Sequence, residues 1–170
     1  GGLNPLTFFR KIKDVALFAF STSSSAATIP VTLKTTNQDL GVNQNVASFV
    51  VPVGATINMD GTAIMQGLAT VFIAQMSGID LTLFQYIQVI LLAVATSIGT
   101  AAVPSAGTIT LIIILQQFNL PLEAIGIILA VDRVLDMIRT SVNVTGDAAI
   151  ACIVAKTENQ LDENIFNSKA

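Results

Sequence analysis

The chain has 170 residues, of which 52% are hydrophobic and 11% are charged, and its mean hydropathy is +0.73. Soluble domains carry roughly 25% charged residues, so this composition favours a membrane protein. The net charge of −3 and the lack of a basic run argue against a nucleic-acid partner. The sequence has no histidine, which excludes Ser-His-Asp and Cys-His catalysis, and it shows no nucleophile–base pair. We therefore expect no enzyme activity.

A first segment, residues 8–37, has the pattern of a helical hairpin. A helix-compatible apolar stretch is followed by Ser23-Ser24-Ser25 and by a second, shorter stretch. Small residues at the tip let a backbone approach a ligand closely, although helix packing is an equally good reason for them.

The next segment, residues 45–78, contains Asp60 as its only charged residue and is interrupted at residues 58–62 by the sequence NMDGT. Glycine weakens a helix, and Asn and Asp side chains compete for its backbone hydrogen bonds. An unwound stretch would free carbonyl oxygens which, with carboxylate and amide groups, suit a small hard cation such as Na⁺. A simple kink is the alternative.

Residues 81–118 carry no charge and are broken at residues 103–107 by the sequence VPSAG. Two half-length apolar stretches around such a tip predict a re-entrant helical hairpin. The helix that begins after the tip would present free N–H groups to an anion.

The last apolar segment, residues 121–156, carries a polar stripe. At about 100° per residue, its members fall within an arc of roughly 100°. They are Asp132, Asp136, Arg139, Thr140, Asn143 and Asp147. Such groups are costly in lipid, so they are expected to face the bundle interior or a water-filled cavity and to mark a substrate or ion pathway. An internal Asp136–Arg139 salt bridge is the alternative. The single cysteine, Cys152, is predicted to pack in the interior, and the polar tail, residues 157–170, to be exposed and mobile.

These segments give the order hairpin, interrupted helix, hairpin, polar-striped helix, which is one unit repeated. We predict an all-α membrane protein with two re-entrant helical hairpins and two transmembrane helices, one of them interrupted. Paired broken segments in corresponding halves are typical of a transporter with its site near the membrane midplane. An ordinary helical bundle with Gly and Pro kinks is the alternative.

Four motifs in this order, STSSSAATIP, VVPVGATINMDGTA, ATSIGTAAVPSAGTIT and AVDRVLDMIRTSVNVTGD, resemble the dicarboxylate/amino acid:cation symporter family. The similarity covers residues 8–156. It implies a homotrimeric, elevator-type carrier, multi-pass in the cell membrane (the inner membrane in a bacterium), in contact with the lipid bilayer. Residues 1–156 would form its moving transport domain, an inverted-repeat-like core. Six further helices, including the scaffold, would precede residue 1.

The resemblance also implies roles in substrate binding. Asp136 would pair with the α-amino group of an acidic amino acid, and Arg139 would hold its side-chain carboxylate in a bidentate contact. Thr62, Thr140 and Asn143 would add hydrogen bonds. The two tips would close over the substrate with Ser23, Ser24, Ser25, Val103, Pro104, Ser105, Ala106 and Gly107.

Sodium is the coupling ion that the resemblance implies, with no other cofactor. One ion would be held by the carbonyls of Gly54 and Asn58, by Asn143 and by the Asp147 carboxylate. A second would use the backbone of Thr56, Ser97, Ile98 and Thr100. Asn58 and Asp60 would contribute to a third, whose remaining ligands lie outside this chain.

Three functions stay open at this point. The first is sodium-coupled symport of aspartate or glutamate. The second is proton-coupled symport of C4-dicarboxylates, which would leave the Asp136 carboxylate without an amino group to bind. The third is a channel or a non-transporting structural fragment, which saturable, sodium-dependent binding would exclude.

Overall fold

The computed structural model describes residues 2–168 and confirms the all-helical class for that part of the chain. Its α-helices are α1 (Pro5–Thr22), α2 (Ser25–Gln38), α3 (Gln44–Ile57), α4 (Asp60–Met76), α5 (Leu83–Ile98), α6 (Ala106–Gln117), α7 (Ile125–Thr157) and α8 (Glu163–Asn167). A short 3₁₀ turn, Leu122–Ala124, leads into α7. Among the described residues, no helix combines the length and the apolar character needed to cross a membrane.

The helix break predicted at the serines is a turn of two residues between α1 and α2. Ser23 has a φ of 52°, in the left-handed region, and its backbone N–H donates to Ala19 O at 2.9 Å, which ends α1. Ser24 then caps α2, because its hydroxyl accepts from Ala27 N at 3.2 Å. The two helices pack against each other. We call Ser23 and Ser24 "the turn" below.

The interruption at NMDGT is shorter than the five residues predicted. Only Asn58 and Met59 leave the helical conformation, and Asp60 begins α4. A carboxylate is favourable in a first helical turn, because the N–H groups there lack intrahelical partners. Gly61 lies in the first turn of α4. Glycine is needed there for packing, because a Cβ would lie 2.5 Å from the Arg139 carbonyl oxygen.

The second break, between α5 and α6, is longer than the first. Helix α5 begins with a capping box formed by Thr82 and Gln85, and it ends at Ile98. Residues 99–105, which we call "the tip", lead to Ser105, whose φ of 61° turns the chain into α6. Both helices pack against α4.

Helix α7 is the central element, and it contacts α1, α2, α3, α4 and α6. Its C-terminal half joins an apolar cluster with α1 and α3 that includes Val15, Val51 and Ala148. Its N-terminal half borders a second cluster built mainly by α4 and α6, which includes Ile73 and Leu111. The polar stripe of α7 lies along the stretch that joins these two halves.

The C-terminal tail, which was predicted to be exposed, is exposed at most of its described positions, but not at Leu161 and Phe166. Phe166 of α8 is 0% exposed and packs in the cluster of α1, α3 and α7. The ammonium of Lys11 in α1 donates to Asp39 O (2.8 Å), Ile165 O (2.6 Å) and Ser168 Oγ (3.1 Å). The buried Phe166 ring and the hydrogen bonds of Lys11 therefore attach this polar segment to the rest of the fold.

Candidate substrate and ion site

The turn, the break at Asn58 and Met59, and the tip all meet the middle of α7. They line a cavity of about 10 Å³, which has room for about one water molecule. Its lining is Ser23, Ser25, Met59, Thr62, Thr100, Ala101, Ala102, Val103, Gly107, Asp136, Arg139, Thr140 and Asn143. Most side chains that the sequence assigned to substrate binding are therefore brought together by the fold.

The polar stripe of α7 faces the interior, as predicted. All six of its members are buried. Val134, Ile138 and Val142, which lie elsewhere on the helical wheel, are 57%, 50% and 43% exposed. A helix that buries its charges and exposes its aliphatic side chains has the inverse of the usual soluble pattern.

Asp136 and Arg139 form a buried ion pair at the wall of the cavity, with side chains 3% and 4% exposed. The second carboxylate oxygen of Asp136 accepts the backbone N–H of Ser105 at 2.8 Å, so Asp136 binds the tip and Arg139 together. Arg139 Nη1 and Ser23 Oγ are buried and have no hydrogen-bond partner among residues 2–168. Two unused donors therefore lie at one cavity, an arrangement that suits an anionic ligand.

The two loops also contact each other directly. The hydroxyl of Ser24 donates to Ala102 O at 3.0 Å, and Ala26 N donates to the same carbonyl at 3.3 Å. Of the predicted tip residues, Val103 and Pro104 are exposed, while Ala106 and Gly107 are buried at the start of α6. The turn and the tip are therefore joined at one side of the cavity.

Asn143 connects α7 to the break and the start of α4. Its Oδ1 accepts from Gly61 N at 2.8 Å, and its Nδ2 lies 3.2 Å both from Thr62 Oγ1 and from Met59 Sδ. These contacts fix Thr62 at the cavity, where the sequence analysis placed it. Met59 was not predicted to take part.

One turn further along α7, Asp147 contacts the break. Asn58 Nδ2 donates to Asp147 Oδ1 at 2.9 Å and to the Asn143 carbonyl at 3.3 Å. A Cβ on Gly54 would lie 2.6 Å from Asp147 Oδ1, so glycine is needed for this approach. Asp147 is 1% exposed and has no basic partner among the described residues. Gly54, Asn58, Asn143 and Asp147 thus form one oxygen-rich group.

The residues assigned to the other two sodium ions are less clearly gathered. Ser97 and Thr100 are buried, and Thr100 Oγ1 donates to Thr96 O at 2.8 Å, whereas Thr56 and Ile98 are exposed. Thr56 lies near the end of α3, and Ser97 and Ile98 lie at the end of α5. These two helices are in contact. Asp60 is exposed at the start of α4.

Gln66 is a site-forming residue that the sequence analysis missed. It is 0% exposed. Its Nε2 donates to Gly107 O at 3.0 Å and to Thr110 Oγ1 at 2.6 Å, and its Oε1 accepts from Thr96 Oγ1 at 2.9 Å. It therefore ties α4 to both helices that flank the tip. The available signal was its position four residues after Thr62, which puts both on one face of α4.

A polar site that is lined by interrupted helices and carries buried charges is typical of secondary transporters. The model of the sodium:dicarboxylate symporter family matches residues 1–157. The chain belongs to this family, whose members are transporters and not enzymes.

Similar proteins include an excitatory amino acid transporter of Caenorhabditis elegans, which is 48% identical over 89% of this chain and 30% of its own length. Excitatory amino acid transporter 2 of Homo sapiens is 48% identical over 89% of this chain and 26% of its own length. Excitatory amino acid transporter 3 of Mus musculus is 46% identical over 98% of this chain and 32% of its own length. The chain thus spans about a quarter to a third of these relatives.

Proposed function

We propose that the protein containing this chain carries acidic amino acids, aspartate or glutamate, across a membrane by symport with sodium. The observation that carries the proposal is the buried Asp136–Arg139 pair beside two unused donors, Arg139 Nη1 and Ser23 Oγ. The names of the related excitatory amino acid transporters support the same substrate class.

In this proposal the substrate exchanges partners with the pair. Its ammonium group binds Asp136 and its side-chain carboxylate binds Arg139, so neither buried charge is left uncompensated. Thr62, Thr140 and Asn143 line the same cavity and add hydrogen bonds; because the cavity has room for about one water molecule, it must widen to admit the substrate. Ser23, Ser24 and Ser25 close it from the turn. Val103, Pro104, Ser105, Ala106 and Gly107 close it from the tip and the start of α6.

A dicarboxylate without an amino group is the weaker candidate for the same site. Such a substrate would take Arg139 from Asp136 and would give the Asp136 carboxylate no cation in return. An unpaired buried carboxylate is expensive, so the pair favours a zwitterionic acidic amino acid over a C4-dicarboxylate.

Sodium coupling is supported by the environment of Asp147. This buried carboxylate has no basic partner in the described part of the chain, and the Asn58 amide donates a hydrogen bond to it. We propose one sodium ion at Gly54, Asn58, Asn143 and Asp147, and a second at Thr56, Ser97, Ile98 and Thr100. Asp60 and Asn58 would contribute to a third ion together with groups outside this chain.

The proposed carrier is a multi-pass, homotrimeric protein of the cell membrane that moves this unit by an elevator mechanism. The outer surface of the unit supports a lipid or protein environment, because large aliphatic side chains are widely exposed on it. Examples are Leu68 and Leu91, which are 68% and 65% exposed. Soluble monomers rarely leave apolar surface of this extent uncovered.

The decisive experiment is a calorimetric titration of aspartate into the full-length protein at several sodium concentrations. We expect the aspartate affinity to rise with sodium and to be lost when potassium or choline replaces it, since binding linkage is reciprocal. Malate is the matched control, because it has a hydroxyl in place of the amino group and should bind far more weakly. Sodium-independent aspartate binding, or tighter binding of malate, would favour the proton-coupled dicarboxylate carrier.

A further inference from the structure

Two helical glycines lie where α3 approaches α7, and each faces a polar side chain from the other segment. A Cβ on Gly54 of α3 would lie 2.6 Å from Asp147 Oδ1, and a Cβ on Gly146 of α7 would lie 2.5 Å from Asn58 Nδ2. Asn58 is the residue at which α3 ends, and Asp147 follows Gly146 directly. The contact is therefore reciprocal, because each segment supplies one glycine and one polar side chain.

The amide of Asn58 lies along one turn of α7. Its Nδ2 donates to the Asn143 carbonyl at 3.3 Å and to Asp147 Oδ1 at 2.9 Å. The atoms nearest to a Cβ on Gly146 all belong to Asn58, since Cγ at 3.4 Å and Oδ1 at 3.5 Å follow Nδ2. The space above Gly146 is therefore filled by this one side chain.

Glycine brings no advantage to the helix at this position. Gly146 lies in the interior of α7 (Ile125–Thr157), where every residue type except proline favours the helix more than glycine does. Close packing is not common to the glycines of this helix, because nothing lies within 4 Å of a Cβ placed on Gly126. The contact with Asn58 is thus the structural reason for a glycine at position 146.

The amide that Gly146 accommodates is also the partner of the carboxylate at the proposed ion site. Asp147 is 1% exposed, forms no ion pair in the described part of the chain, and accepts from Asn58 as its one side-chain donor there. A buried carboxylate close to amide and carbonyl oxygens suits a small hard cation. Hydrogen bonds of this kind orient a carboxylate that binds a metal ion, and their loss typically lowers the metal affinity about 10- to 100-fold.

We propose that Gly146 is a positioning residue for the sodium ion, because it provides the space in which the Asn58 amide reaches Asp147 and orients the carboxylate toward the ion. The inference rests on the proposed function, since it takes sodium as the ligand of Asp147. In this role Gly146 acts only through Asn58. A methyl group on Gly146 would push the amide away from Asp147, and the carboxylate would lose its donor and its fixed orientation.

The test is a sodium titration of the full-length protein in detergent, without aspartate, followed by the midpoint of thermal unfolding. Choline chloride keeps the ionic strength constant, and potassium chloride is the comparison salt. A cation that binds the native state raises this midpoint according to its concentration relative to its Kd. Gly146→Ala should raise the apparent sodium Kd about tenfold or more.

A double variant separates positioning from general loosening of the contact between α3 and α7. Asn58→Ala removes the amide, keeps the backbone carbonyl, and should also raise the sodium Kd about tenfold or more. Gly146→Ala combined with Asn58→Ala should then match Asn58→Ala within about twofold, because the methyl group has no amide left to displace. Without sodium, this double variant should unfold no earlier than Asn58→Ala, since alanine favours the helix.

Gly126→Ala is the matched control in the same helix. A Cβ there meets nothing within 4 Å, so the sodium Kd should stay within about twofold of the parent value. If Gly146→Ala alone does not fold, the double variant should fold and should still match Asn58→Ala. A double variant that also fails to fold would overturn the inference.

The remaining outcomes distinguish this inference from the proposed function. A parent that sodium stabilises no better than potassium would overturn the proposed sodium site and the role of Gly146 together. A parent that sodium does stabilise, with an unchanged Kd in Gly146→Ala or a double variant clearly weaker than Asn58→Ala, would overturn the role of Gly146 alone. Sodium binding that responds to Gly146→Ala, with aspartate binding independent of sodium, would overturn the coupling and leave the role of Gly146 in place.

Discussion

Breaking the Asp136–Arg139 pair from one side should destabilise the protein far more than removing the pair altogether. Arg139→Leu leaves the Asp136 carboxylate buried with the Ser105 N–H as its one remaining partner among the described residues. Uncompensated buried charges of this kind cost about 3–5 kcal/mol. Asp136→Leu leaves the Arg139 guanidinium in the corresponding position, and we expect a cost of similar size. The double variant removes both charges, and its stability should return to within about 1 kcal/mol of the parent, because apolar replacement of a buried pair is often neutral.

The measurement is denaturant unfolding of the full-length protein in detergent, without aspartate and with potassium in place of sodium. The matched control is Arg133→Leu, which removes an arginine from the same helix whose hydrogen bond to Ser21 O is long, at 3.4 Å, and exposed. Its effect should stay within about 0.5 kcal/mol. Aspartate binding should be lost in both single variants and in the double variant. Only the double variant should therefore combine near-parental stability with the loss of aspartate binding.

Two results would refute this reasoning. If Arg139→Leu is no less stable than Arg133→Leu, the Asp136–Arg139 pair is not buried as the structure describes. If the double variant is as unstable as the single variants, the loss comes from packing and not from an uncompensated charge. In the double-mutant cycle, we expect the double variant to lose far less stability than the sum of the two single losses.

Three further predictions concern other parts of the unit. Asp147→Asn should weaken apparent sodium affinity and change aspartate affinity little at saturating sodium, as followed by calorimetry; unchanged sodium dependence would contradict the proposed ion site. Phe166→Ala should lower the free energy of unfolding by about 3–5 kcal/mol, because the ring is fully buried, whereas the exposed Asn164 should tolerate alanine. Gln66→Leu removes three hydrogen bonds of a buried side chain and should cost about 2–4 kcal/mol with weaker aspartate binding; parental behaviour in both assays would show that the tip does not depend on α4.

The polar stripe of α7 could be predicted from the sequence because charges are rare in this chain. Charged side chains in long apolar segments usually face the bundle interior, so Asp136 and Arg139, on one face of the helix, already indicated its interior side. The breaks at the turn, at Asn58 and at the tip were visible for a similar reason, since glycine, proline and runs of serine are unfavourable inside helices.

What could not be predicted depends on contacts between distant segments. The break at Asn58 is two residues long because Asp60 stabilises the first turn of α4, and this depends on where the helix begins. In the sequence, Gln66 is a single polar residue in an apolar segment. Its hydrogen-bond partners lie in α5 and α6, which are distant in the chain. Phe166 lay in a segment of polar composition, and nothing local indicated that α1, α3 and α7 would leave a space for its ring.

The contact between Lys11 and the C-terminal segment has a consequence for synthesis. The ammonium of Lys11 and Ile165 O are 154 residues apart in the chain. A ribosome adding about 5–20 residues per second needs roughly 8–30 s to make that stretch. During this interval α1 and α2 can already pair, but of the three acceptors of Lys11 only the Asp39 carbonyl exists. Water can solvate the Lys11 ammonium during this interval, and the set of three contacts is complete only after residues 165 and 168 have been translated.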